Sequence, residues 1–227
     1  MMTLGILAPK DRPSIYEYGT RTVNTTTGSS YSFTSQAIGT AAANRYVVVT
    51  VFNRDATLSN GAATVSSVTV GGTSCTKITE VNNSGYGGLN LAMFITTSPV
   101  TTGTTATVAV TLANSEAFAA ISVHAIYTSN PTPTASFNEM LVTSGNSRSV
   151  SAQDGGVVIA AYAGWYATSA SWSGLDAQGT VLSFTKTYSQ FLTTAAKSPT
   201  EGGSLTISVT DNGGDPGNSI VGAVWKP

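Results

Sequence analysis

One series of short segments is written twice in this chain, and that repetition limits the fold more than any single motif does. The stretch ATVAVTLANSEAFAAISVHAIY (106–127) returns about a hundred residues later as SLTISVTDNGGDPGNSIVGAVWKP (204–227). In the first copy Val108, Val110 and Leu112 alternate with Thr107, Ala109 and Thr111. In the second, Ile207 and Val209 alternate with Thr206, Ser208 and Thr210. Alternation with period two buries one face of a strand and leaves the other in water, as in an antiparallel sheet.

Other segments correspond in the same order. Phe94-Ile95-Thr96-Thr97 before Ser98-Pro99 is matched by Phe191-Leu192-Thr193-Thr194 before Ser198-Pro199. RYVVVTVF (45–52) is matched by GGVVIAAYAGW (155–165), and SSVTVGG (66–72) by SASWSG (169–174). Val123, Ala125 and Tyr127 are matched by Val221, Ala223 and Trp225. Ordered agreement across all these elements indicates an internal duplication, and helical periodicity is absent. A unit of this size holds about seven or eight short strands, enough for one β-sandwich.

The expected fold is therefore all-β: two tandem antiparallel sandwiches, jelly-roll or immunoglobulin-like, over 22–128 and 134–227. Between them lies a linker, 129–133, within SNPTPT, where two prolines block strand pairing and stiffen the chain. A single eight-stranded sandwich assembled from the two halves is the alternative arrangement. Residues 1–21 match nothing in the second half and read as an N-terminal arm or edge strand that docks on a neighbour. They carry Lys10, Asp11, Arg12, Glu17 and Arg21, a local concentration of charge. Lys10, Arg12, Glu17 and Arg21 are the candidate contacts to a neighbouring subunit.

Charged residues make up only 9% of the chain and the net charge is −1, against ~25% charged in ordinary soluble domains. Such a chain has no electrostatic footprint for nucleic acid or an anionic membrane. No apolar run reaches the ~18 residues of a spanning helix. The polar surface must be built from Thr, Ser, Asn and Gly, which lose less on desolvation than charges do, and this suits burial between subunits in a homo-oligomer. Cys75 is the only cysteine, so no intrachain disulfide forms. The opening MMTLGILAPKDRPS does not read as a secretory signal, and folding in a reducing cytoplasm is expected.

Chemistry finds little footing. His124 is the only histidine and stands in a strand pattern opposite Gly222 of the second copy, so it reads as a strand-surface residue. No nucleophile elbow, zinc-binding helix or phosphate loop is present. The acids Asp55, Glu80, Glu116, Glu139, Asp154, Asp176, Glu201, Asp211 and Asp215 fall mostly in turns, with no spacing that favours a glycosidase pair. Asp211–Asn218 has the oxygen-and-glycine alternation of a calcium loop, but also the residues of a tight hairpin turn, which is the reading adopted. Trp165, Tyr166, Trp172 and Tyr188 would stack on sugars if exposed, yet Trp172 occupies the core-like place of Val68 or Val70. No catalytic, cofactor or metal residue is assigned, and the chain is expected not to be an enzyme.

The segments RYVVVTV (45–51), SSVTVGG (66–72), TTGTTATVAVT (101–111) and the closing AVWKP (223–227) resemble small Thr/Gly/Ala-rich virion structural proteins of tailed bacteriophages. The likeness covers nearly all the chain after residue 22 and rests on strand and turn residues. It implies jelly-roll or immunoglobulin-like sandwiches that decorate a capsid or build a tail appendage, and it carries over no site residue. The implied role is a capsid decoration or cement protein, made in the bacterial host cytoplasm and located in the virion. Its implied partners are further copies of itself and a major capsid protein. A tail or receptor-binding component, or a carbohydrate-binding adhesive module with some glycan contact, is the alternative.

Overall fold

The computed structural model describes residues 16–55, 61–83, 88–141, 145–165, 168–185, 189–213 and 218–227. Among them every regular element is a strand. The first eight are β1 (Tyr16–Asn24), β2 (Gly28–Ala37), β3 (Arg45–Arg54), β4 (Val65–Val70), β5 (Thr73–Asn83), β6 (Leu89–Thr96), β7 (Thr105–Glu116) and β8 (Phe118–Tyr127). The second eight are β9 (Ala135–Leu141), β10 (Gly145–Ala152), β11 (Val157–Trp165), β12 (Ala170–Ser173), β13 (Asp176–Thr185), β14 (Ser189–Lys197), β15 (Gly203–Asp211) and β16 (Asn218–Trp225).

The first set forms one eight-stranded antiparallel sheet of order β1-β8-β3-β6-β5-β4-β7-β2. It folds over at β4–β5, which share only the pairs Thr69–Ser74 and Val70–Thr73 around the Gly71-Gly72 turn. Both turn glycines have positive φ, 55° and 84°, where a side chain would be strained. The second set forms a five-stranded sheet, β13-β14-β11-β16-β9, and a three-stranded one, β10-β15-β12. Adding eight to every strand number of the first half reproduces the second half's order.

Three cores separate four layers. Val47, Val49, Val51, Phe94, Val108, Val110, Ile121 and Val123 fill the first sandwich, and Val158, Ala160, Tyr162, Phe191, Ile207, Val209 and Ile220 fill the second. The third core joins the halves: Val48, Phe52, Leu91, Met93 and Phe118 meet Ile159, Ala161, Leu192, Val221 and Trp225. The inner strands of both halves are thus buried on both faces, and full burial of each large apolar side chain contributes about 1.5–3 kcal/mol. The two sandwiches pack face to face across this third core.

Cross-layer contacts fix how the halves lie. β1 and β8 sit over β13 and β14, and β5 sits over β9. The C-terminal ends of β3 and β11 meet where Arg54 covers Trp165. At the opposite end the Tyr16 hydroxyl donates to the Ala196 carbonyl. β3 and β11 therefore run in the same direction, and the halves are related by an approximate twofold axis along the strands.

Two expectations change. Of the expected arm, residues 1–15 lie outside the described residues, and residues 16–21 belong to β1, which pairs with β8 through Tyr16–Ile126, Glu17–Ala125 and Arg21–Ser122. Val123 and Val221 are also not equivalent, since Val123 lies inside its own sandwich and Val221 lies in the layer between halves. A one-residue slip exchanges the faces of a strand. By face, Val123 corresponds to Gly222, where any Cβ would fall 2.2 Å from the Phe137 ring.

Candidate functional site

The three-stranded layers carry the surface that the core does not use. In β7, Thr107 and Thr111 point outward while Val108 and Val110 point in. Ser30, Ser32 and Thr34 of β2 and Ser67 of β4 extend that outward face. The opposite layer repeats it: Ser147, Ser149 and Ser151 on β10, Thr206 and Thr210 on β15, Ser171 and Ser173 on β12. Register aligns the hydroxyls into rows, Ser30–Thr111–Ser67 on one face and Ser147–Ser208–Ser173 on the other. Along a strand the rows repeat every ~6.7 Å, and neighbouring strands lie ~4.8 Å apart. No charged side chain stands in these rows. The approximate twofold turns one hydroxyl face to each outside of the block.

The layer between halves has a polar belt. Arg21 donates through Nη1 to the Leu192 carbonyl (3.3 Å), and through Nη2 to Thr194 Oγ1 (3.2 Å) and the Gln178 carbonyl. Ser122 and Thr194 share a hydrogen bond of 3.3 Å, and Asn138 Nδ2 donates to Thr79 Oγ1 at 2.7 Å. These bonds lock the register of one half on the other. His124 is a correction: it is fully buried in this layer rather than on a strand surface. Tyr18 meets it edge-on at 5.4 Å, and neither ring nitrogen has a partner among the described residues. Burial, and then the charge of Arg21, push its pKa down to about 3, so the ring is neutral at physiological pH.

Two acid clusters close the end of the block where β3 and β11 finish. In the second half, Tyr162 Oη and Asn218 Nδ2 both donate to Asp211 Oδ2, the latter at 2.8 Å. The Gly213 amide donates to Asp211 Oδ1 at 2.7 Å, and Asn212 Oδ1 accepts the amides of Thr168 and Ser169. The described ligand candidates of the calcium-like loop are thus spent on turn geometry; Asp215 lies outside the described residues. In the first half, Asn90 Nδ2 donates to Asn53 Oδ1 and Glu80 Oε1 at 3.1 and 3.0 Å. Glu116 Oε1 accepts the Ala63 amide at 2.6 Å. Among the described residues no group of three or more His, Cys, Asp or Glu side chains is placed to hold a metal.

Arg45 organises the opposite end. Its guanidinium donates to the carbonyls of Gly39, Val100, Thr102 and Gly103 at 2.7–2.8 Å, tying together the connections on either side of β3 and β6. Glu17 Oε2 accepts the amide and hydroxyl of Thr40, so Glu17 serves its own sandwich, whereas Arg21 reaches across to the second half. Lys10 and Arg12 lie outside the described residues, as do Tyr166 and Tyr188. Trp172 packs on the second core and donates to Thr193 Oγ1 at 3.2 Å, and Trp165 lies beneath Arg54. Neither indole is an open platform for a sugar ring. Burial pushes the Cys75 thiol up to about 12, which disfavours the nucleophilic thiolate.

Comparison with protein-family models, with curated proteins and with solved structures gives no match. The buried clusters escaped the sequence reading because Glu116 and Asp211 sit in segments with turn composition. The signal that pointed to the outer faces was already present, in the alternation of Ser and Thr with Val and Ile.

Proposed function

We propose that this protein is a non-enzymatic structural component of a tailed-bacteriophage virion, a decoration or cement protein that docks on a capsid lattice. The observation that carries the reading is the pair of uncharged hydroxyl faces on opposite outsides of a rigid four-layer block. Hydroxyls exchange water for protein partners at lower cost than charges. Each face is small, so one contact is weak, while two faces per molecule acting on a repeating lattice multiply through effective concentration. An internal duplication supplies the two faces, and the sequence likeness to phage virion proteins supplies the setting. In this reading the chain is made in the bacterial cytoplasm, associates with further copies of itself and contacts the major capsid protein.

The test is co-sedimentation of purified protein with heads of the phage that encodes it. Thr111→Lys and Thr206→Lys place a charge in one row of each face without touching a core. Each single variant is expected to weaken attachment and the double variant to abolish it. Attachment unaffected by both would remove the faces from the proposal. Heads that remain equally heat-resistant without the protein, in virions that no longer adsorb to cells, would favour the tail or receptor-binding role.

A further inference from the structure

Ala63 is held from both sides. Its amide donates to Glu116 Oε1 at 2.6 Å, and its carbonyl accepts from Asn53 Nδ2 at 2.8 Å. Its neighbours are held in the same way: Asn82 Nδ2 donates to the Ala62 carbonyl, and the Val65 amide donates to Glu80 Oε1 at 2.9 Å. Side chains from β3, β5 and β7 thus strap residues 61–64 across the end of the first sandwich, just before β4.

Of the two acids in this grip, Glu80 is neutralised by Lys77 at 2.6 Å. Glu116 has no such counterion among the described residues. It is 2% exposed, and its Oε2 has no hydrogen-bond partner among the described residues. The other ionisable groups on the surrounding elements do not relieve it. Asp55, at the end of β3, adds a like charge. Arg54 points to the opposite face, over Trp165. Tyr31 on β2 donates its hydroxyl to the Glu116 backbone carbonyl, not to the carboxyl. β4 and β6 bring no charged side chain, and the His124 of β8 lies in the layer between halves.

We infer that Glu116 is a proton-operated latch on the 61–64 strap. Protonated, its carboxyl stays in the core and accepts the Ala63 amide. Once the proton passes to water, the carboxylate is an unpaired buried charge beside Asp55, and the strap opens to let it reach solvent. Burial, the larger cause, and Asp55 raise the Glu116 pKa from 4.5 to about 7, against the opposing pull of the Ala63 amide. The latch therefore works near neutral pH, closed on the acid side and released on the alkaline side.

Amide hydrogen exchange on the full chain between pH 5 and 9 tests this, with Ala63 compared against Val110 and Phe94 in the adjoining core. After correction for intrinsic exchange, the opening constant at Ala63 should rise about tenfold per pH unit up to ~7 and then level off. Glu116→Gln keeps the acceptor but cannot ionise, so its Ala63 opening should be flat with pH. Asp55→Asn removes the like charge while leaving Glu116 in place, and should move the break in the curve to lower pH. A flat wild-type curve, an unchanged slope in Glu116→Gln, or Val110 and Phe94 following Ala63 in step would each overturn the latch.

Discussion

Arg54 on β3 lies over the indole of Trp165 on β11, its guanidinium carbon 3.7 Å from the ring centroid, across the layer between the two halves. A cation over an aromatic face contributes about 2 kcal/mol when desolvated. The contact continues into an aromatic group in which Phe118 meets Phe184 at 4.7 Å and Phe52 at 5.1 Å, again joining the halves. Sandwiches coupled in this way should unfold together. A single calorimetric transition is expected, with calorimetric and van't Hoff enthalpies equal. Trp165→Ala should lower stability by about 3–5 kcal/mol without splitting that transition. Two resolved transitions in the wild type would mean that the shared core does not couple the halves.

Arg45 should be irreplaceable by lysine. Its side chain is fully buried, and its planar fork reaches four carbonyls in different directions. Lysine offers a compact charge on a flexible stem and cannot span them. Arg45→Lys and Arg45→Ala should each cost about 3–5 kcal/mol in denaturant unfolding, as losing one side of a buried charged network does. A lysine variant within about 1 kcal/mol of wild type would show the carbonyls to be satisfied otherwise.

The Asp211 cluster should be indifferent to calcium. Both carboxylate oxygens already accept protein donors, from Tyr162, Asn218 and Gly213. Calcium or a chelator should leave the melting temperature unchanged, whereas Tyr162→Phe, which removes one donor, should cost about 1–3 kcal/mol. A rise in melting temperature with calcium would restore the metal reading of this loop.

How much of this was legible depended on which face a residue serves. Strand positions and inward alternation at Val108, Val110, Ile207 and Val209 follow from a pattern of period two, and they stand in the structure as read. The layer between halves follows from a different signal. RYVVVTVF, GGVVIAAYAGW and FAAISVHAIY are apolar on both faces, the mark of strands covered on both sides. One sandwich covers only one of those faces, so the second apolar face already implied another layer. The place of β1 on β8 of its own sheet was not legible because YEYGTRTVN shares no residue pattern with its structural counterpart ASFNEML; both are outer strands, where backbone pairing rather than side-chain identity sets the fold. His124 was misplaced because matching Val123 to Val221 put the wrong residue beside it.

His124 should make the protein sensitive to acid. Its folded pKa is pushed from 6.5 down to about 3, so the unfolded chain takes up a proton that the folded chain refuses. The sign follows from linkage: stability is fully present above 6.5 and is lost as pH falls from there towards 3. The loss reaches on the order of 5 kcal/mol across that window, at about 1.4 kcal/mol per pH unit. Glu116 acts in the opposite sense. Its folded pKa is raised, so its contribution is complete below 4.5 and fades as pH climbs through 7. In the range between 4.5 and 6.5 the two slopes oppose each other, and His124 alone dominates below 4.5. His124→Leu fills a similar volume without a titrating ring, among neighbours such as Val48 and Ile126 that are already apolar. Denaturant unfolding at pH 7, 5.5 and 4 should show the leucine variant gaining stability relative to wild type at each step towards acid. An equal acid loss in both proteins would move the acid sensitivity from His124 to the carboxylates.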